Sequence, residues 1–228
     1  MKTKLWCLPA AGLALLIGSV TVQAQYQWQN QNTPYYPESR FYMNADVGGS
    51  LLQNVDIENL GARVGFNAGT RVDFSFGCNI VKQFAVEFET GVIWNSMHGS
   101  DAMIISPAAD NADLFQVPLL VNLVFKAPLK CGLTPYIGGG AGGVISTLQL
   151  SNGSSDFFDN SISDTDFTFA YQGFAGLKYA VAWNLEVGVG YKFLGTLDHR
   201  WFGDDPNLYI HTTPTYSHSI LATFTWRF

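Results

Sequence analysis

The chain ends YSHSILATFTWRF, and from Ile220 onward every second residue is apolar: Ile220, Ala222, Phe224, Trp226 and Phe228. The alternate positions include Ser219, Thr223, Thr225 and Arg227. Side chains of a strand point to opposite faces in turn, so this segment needs an apolar medium on one side and a polar one on the other. In an open sheet such a terminal strand leaves a row of unpaired backbone groups. A closed barrel removes that edge by pairing the last strand with the first.

The same period recurs upstream. Arg40–Leu52 sets Phe41, Met43, Ala45, Val47 and Leu51 against Asn44, Asp46 and Ser50. Arg63–Phe76 sets Val64, Phe66, Val72, Phe74 and Phe76 against Asn67, Arg71, Asp73 and Ser75. Phe84–Asn95, Phe115–Lys126, Phe167–Tyr179 and Trp183–Leu194 alternate in the same way, with Glu87, Glu89, Gln116, Asn122, Glu186 and Lys192 among their polar positions. Between them, Thr134–Leu148 reads as a strand whose phase is hidden by GGGAGG. Each segment can cross a bilayer as a tilted strand, which takes about 9–11 residues.

Connections also alternate. They are short at Gly77–Lys82, Ala127–Gly132 and Ala180–Ala182, and long at Gln53–Ala62, Ser96–Ala112, Gln149–Asp166 and Thr196–Thr215. Short turns at one rim and long loops at the other are the pattern of outer-membrane barrels. The expected fold class is therefore all-β, a single eight-stranded antiparallel transmembrane up-and-down β-barrel over residues 40–228.

The N-terminus supplies an export route. Lys2 and Lys4 precede an apolar run, and Val22-Gln23-Ala24 is a small-x-small cleavage site, so residues 1–24 read as a cleaved signal peptide. Residues 25–39, QYQWQNQNTPYYPES, read as a flexible polar leader. The sequence is only 13% charged and 14% aromatic, against about 25% charged in soluble domains. Without Lys2 and Lys4, ten bases remain against 18 acids, a formal charge of −8 that disfavours nucleic acid as a partner.

QVPLL, TPYIGGGAGG, AYQGFAG and VGYKF, with a terminal aromatic residue, resemble the small eight-stranded outer-membrane barrels of the OmpA/OmpX/opacity type. The resemblance covers about Arg40 to Phe228. It implies that Phe224, Trp226 and Phe228 form a C-terminal signal read by the barrel assembly machinery. It implies outer-membrane localisation but no particular function. No peptidoglycan-binding domain is expected after Phe228.

Three constellations stand out. Asp46, Arg71, Asp73, Glu87, Glu89, Glu186 and Lys192 fall on faces assigned to the lumen, with Lys126, Lys178 and Arg227 nearer the short-turn rim. Buried at this density they must pair, either as a plug or as a gate. The long loops are acidic, from Asp56 and Glu58 to Asp204 and Asp205, a surface suited to divalent cations, a basic partner or another extracellular ligand. Cys78 and Cys131 fall in short turns on one rim and are a candidate disulfide.

Gly138, Gly140 and Gly143 satisfy GxGxxG, but a strand follows where nucleotide binding needs a helix. Ser217, His218 and Ser219 raise a lipid-modifying enzyme as a third reading; adjacent strand residues face opposite ways, which argues against it. Asp198, His199, Asp204, Asp205 and His211 match no standard metal spacing. The expectation is a monomeric non-enzyme with no cofactor or bound metal, embedded in outer-membrane lipid. Its expected role is structural or surface interaction, namely adhesion or envelope integrity. The alternative is a narrow channel for ions or small solutes.

Overall fold

The protein is described from a computed structural model covering residues 39–57, 62–100, 112–129, 131–150, 162–201 and 210–228. Residues 1–38, which hold the expected signal peptide and all of the expected leader except Ser39, lie outside the described residues. In chain order the strands are β1 (Phe41–Leu52), β2 (Val55–Ile57), β3 (Ala62–Phe66), β4 (Gly69–Asn79), β5 (Phe84–Ser100) and β6 (Ala112–Lys126). They continue as β7 (Leu133–Leu150), β8 (Ile162–Ala180), β9 (Leu185–Thr196), β10 (His199–Trp201), β11 (Ile210–Thr212) and β12 (Tyr216–Arg227).

Eight long strands form a ring in the order β1, β4, β5, β6, β7, β8, β9, β12, each antiparallel to its neighbours. β12 closes on β1, from Tyr42 opposite Arg227 to Leu52 opposite Ser217. Along this closure the backbone of both terminal strands pairs in the ladder, as hydrocarbon requires. The short strands β11, β2 and β3 extend the long-loop rim, running from β10 back onto β5.

The faces are inverted relative to a water-soluble core. Ile220 is 73% exposed and Leu123 66%, while Arg71 on the inside is fully buried. Aromatic pairs bracket this outer apolar band. Phe84 packs on Phe125 at one level, and Trp94 stacks on Phe115 at the other. From Phe84 to Trp94, a rise of about 3.3 Å per residue and a strand tilt of about 40° carry the chain about 25 Å along the membrane normal. That matches the apolar height of an outer-membrane barrel.

Three expectations need correction. The segment Arg63–Phe76 is not one strand: it breaks at Asn67–Ala68, where Asn67 N–H bonds Ser96 O and Asn95 Nδ2 bonds Asn67 O. Val64 is consequently buried under the rim strands and not turned to lipid. Trp183 sits in the turn between β8 and β9, not in a strand. Cys78 and Cys131 form no disulfide, because Cys78 lies within β4 while Cys131 follows β6, with β5 paired between those two strands.

Glycines make the lumen wide enough for its contents. Tyr42 lies over Gly77, where a Cβ would sit 2.1 Å from the ring. The phase of β7, unreadable in GGGAGG, follows from the same logic. Gly138 faces the Phe174 ring and Gly140 the Asn122 side chain, so both point inward. Gly77→Ala should therefore destabilise the refolded barrel by about 1–3 kcal/mol through overpacking. Gly173→Ala, where a Cβ meets nothing within 4 Å, should be neutral or stabilise by about 0.4–1 kcal/mol through the unfolded chain. Urea titration in lipid vesicles measures both, and equal losses would contradict this packing.

Candidate functional site

The structure buries Asp46, Arg71, Asp73, Glu87, Glu89, Glu186 and Lys192 inside the barrel, divided between two tiers. In the central tier Arg71 from β4 bonds Asp73 Oδ2 at 2.7 Å and Glu89 Oε1 at 3.1 Å. Lys192 from β9 holds Asp46, Asp73 and Glu89 at 2.8, 2.9 and 3.0 Å. Carboxamides saturate the other oxygen of Glu89: Asn122 Nδ2 donates at 2.9 Å and Gln172 Nε2 at 3.0 Å. Sequence reasoning placed Asn122 on a polar face but linked neither it nor Gln172 to the charges.

Two of these bonds span the whole lumen. Arg71 Nη2 reaches Gln172 Oε1 at 3.2 Å, from β4 to β8. Lys192 reaches Glu89 from β9 to β5. Each pair stands four strands apart on a ring of eight, so its members face each other across the diameter.

The second tier lies toward the short-turn rim. Tyr42 donates to Glu87 Oε1 at 2.6 Å, and Asn44 Nδ2 donates to the same oxygen at 3.1 Å. Asn44 Oδ1 accepts from Lys178 at 3.0 Å and from Thr225 at 2.7 Å. Arg227 pairs with Glu186. Lys126 donates to Asn79 Oδ1 and lies 3.5 Å from the centre of the Tyr42 ring. Three acids against two bases in the central tier leave it one negative charge. Two acids, Glu87 and Glu186, stand against three bases in this tier, a formal excess of one base. On the long-loop side, buried Ile93, Leu120, Val144, Ala170 and Leu194 form an apolar layer contributed by five successive strands of the ring.

The outer mouth carries a group that sequence reasoning did not find. His199 Nδ1 bonds Asp166 Oδ2 at 3.2 Å and its Nε2 bonds Thr196 Oγ1 at 3.1 Å. The Thr196 hydroxyl also bonds Thr215 Oγ1 at 2.6 Å. The order carboxylate, imidazole, hydroxyl is that of a hydrolytic relay, but Thr196 is 1% exposed. Here the arrangement ties β8, β9, β10 and the segment before β12 together. Its signal was the pairing of Asp166 with His199 across two different loops, which no local spacing reveals.

His218 faces outward, between Tyr191 OH at 2.6 Å and Gln53 Nε2 at 2.9 Å, while Ser217 and Ser219 are buried on the other face. Asp113 accepts from Trp94 Nε1. Glu58, Asp101, Asp110, Asp156, Asp159, Asp204 and Asp205 lie outside the described residues. Among the described residues, no group of three or more His, Cys, Asp or Glu side chains could hold a metal. Phe224, Trp226 and Phe228 project outward, and Phe228 packs 6.2 Å from Phe76.

Burial lowers the His199 pKa below the ordinary 6.5, against the opposing pull of Asp166. The intact clasp therefore prefers the neutral ring, and opening it lets the ring take a proton. Its stability is full above the ordinary histidine pKa and falls as pH drops below that value toward the folded pKa. Hydrogen exchange, corrected for intrinsic rates, should show protection of residues 196–201 and 210–215 falling between about pH 7.5 and pH 5. His199→Gln should flatten that dependence; an unchanged slope would contradict it.

A family profile described as "Outer membrane protein beta-barrel domain" matches residues 11–228. No curated protein matches. Among solved structures, the outer membrane protein AlkL in lipid bilayers is similar at TM-score 0.55 and 15% identity, over 88% of this chain and 98% of that one. Neisserial surface protein A (NspA) is similar at TM-score 0.54 and 14% identity, over 83% and 98%. OprG from Pseudomonas aeruginosa follows at TM-score 0.51 and 11% identity, over 83% and 98%. At these identities the likeness is one of fold. With the closed eight-stranded ring and the coverage of the profile, the chain belongs to the outer-membrane protein β-barrel domain family and sits in the bacterial outer membrane.

Proposed function

We propose that this protein is a plugged barrel that serves envelope integrity and surface interaction, with its long-loop rim as the working face. The reading rests on one observation: Arg71–Gln172 and Lys192–Glu89 are hydrogen bonds across the diameter of the lumen. An ion path needs a wetted bore. Here paired charges cross the centre, with the apolar layer of Ile93, Leu120 and Val144 on the loop side.

The remaining assignments follow from that reading. Phe224, Trp226 and Phe228 present an aromatic, outward-facing C-terminal strand to the barrel assembly machinery. The protein works as a monomer in outer-membrane lipid, without cofactor or catalytic residue. Acidic positions of the long loops, such as Asp56 and Asp198, face basic partners or divalent cations.

Planar-bilayer recording of the refolded mature protein tests the plug. The wild type should give no reproducible conductance steps. A Glu87→Gln, Glu186→Gln double variant should also stay silent, because the central tier and the apolar layer remain. Steps that change amplitude in this variant would assign the protein to the narrow channels instead.

A further inference from the structure

The short-turn rim holds a cavity of about 530 Å³, lined by Arg40, Lys82, Lys126 and Arg227 together with Asn79 and Thr134. These cations come from four different parts of the barrel wall: the entry to β1, the β4–β5 turn, the end of β6 and the end of β12. On the cavity floor Arg227 pairs with Glu186. Lys126 points into the barrel against Asn79 Oδ1 and the Tyr42 ring, neither of which carries a compensating charge. Behind it stands the second tier with its formal excess of one base, where Lys178 likewise meets an amide oxygen and aromatic rings.

We propose that this cavity is an anion site for a phosphate group. Lys126 is half-buried and forms no salt bridge among the described residues, and an anion in the cavity would supply a counterion at hydrogen-bond distance. Donors that converge from separate walls suit a tetrahedral oxyanion, whose several oxygens can accept from an arginine fork and from lysines at once. The volume accommodates phosphate together with a glycerol-sized substituent. The site opens at the periplasmic rim, at the depth where phospholipid headgroups lie, so soluble phosphate and a phosphodiester headgroup are two sources of the same chemistry. The site is independent of whether the lumen conducts.

The test uses the mature full chain, refolded in uncharged detergent for one arm and in nanodiscs for the other. In the first arm, inorganic phosphate is titrated while side-chain N–H signals of arginine and backbone signals of residues 79–82 are followed by NMR. In the second, nanodiscs of mixed phosphatidylcholine and phosphatidylglycerol are analysed for lipid retained on the protein by native mass spectrometry. Saturable shifts assign soluble phosphate, and enrichment of phosphatidylglycerol assigns the headgroup; either supports the site. Arg40→Gln and Lys126→Met should each weaken the effect about tenfold, while Gln149→Ala, exposed at the opposite rim, should leave it unchanged. Arg40 is exposed at the rim, so its variant keeps the test decisive if Lys126→Met fails to fold, as checked by unheated gel mobility. Absence of both saturable shifts and lipid enrichment would overturn the proposal. So would an effect that Arg40→Gln leaves untouched.

Discussion

Pairing of β12 with β1 is the constraint on which the rest of this structure depends. A backbone amide in hydrocarbon has no water to bond, so an unpaired strand edge at membrane depth is excluded. Closing the ring satisfies both edges and also fixes an inside and an outside. Once Tyr42 stands opposite Arg227, strand alternation assigns each barrel residue to lipid or lumen. The apolar positions then gain by facing the bilayer, and the polar positions have nowhere to go but inward.

That inward set creates the second problem. An eight-stranded barrel is just wide enough for side chains to fill it, and buried charge is tolerated only when paired and hydrogen-bonded. The protein meets this with lysine and arginine that each bridge several carboxylates, and with Asn122, Gln172 and Asn44 as adaptors between charges. Inward glycines make space for Tyr42, Tyr136 and Phe174, which separate and flank the ionic tiers. The formal division is uneven, with the extra base toward the short-turn rim.

Much of this was legible from residue order, because period-two alternation directly encodes the two faces. Asp46, Arg71, Glu89 and Lys192 lie on polar phases of strands whose apolar phases are long and clear. What was not legible falls into two kinds. Where side chains are missing, as in GGGAGG, alternation has nothing to display, and the phase emerges only from Phe174 and Asn122 on the neighbouring strands. Where partners are distant in sequence, spacing is silent. The division of the charges into tiers, the Asp166–His199–Thr196 clasp, and the separation of Cys78 from Cys131 all depend on the strand ring. The break at Asn67–Ala68 belongs with these, since it is made by Ser96 and Asn95 of another strand.

The central claim is that the lumen is spanned by coupled ion pairs, not merely lined by charged residues. A double-mutant cycle on Lys192 and Glu89, using Lys192→Met, Glu89→Gln and the pair, measures this directly through unfolding free energies in lipid vesicles. Lys192→Met leaves three buried acids against Arg71 alone and should cost about 3–5 kcal/mol, whereas Glu89→Gln leaves Arg71 and Lys192 paired with Asp73 and Asp46 and should cost less. The double variant should cost clearly less than the sum, with a coupling within about 0.5–3 kcal/mol. Strictly additive losses would contradict the account, because they would mean that the two charges do not meet across the barrel.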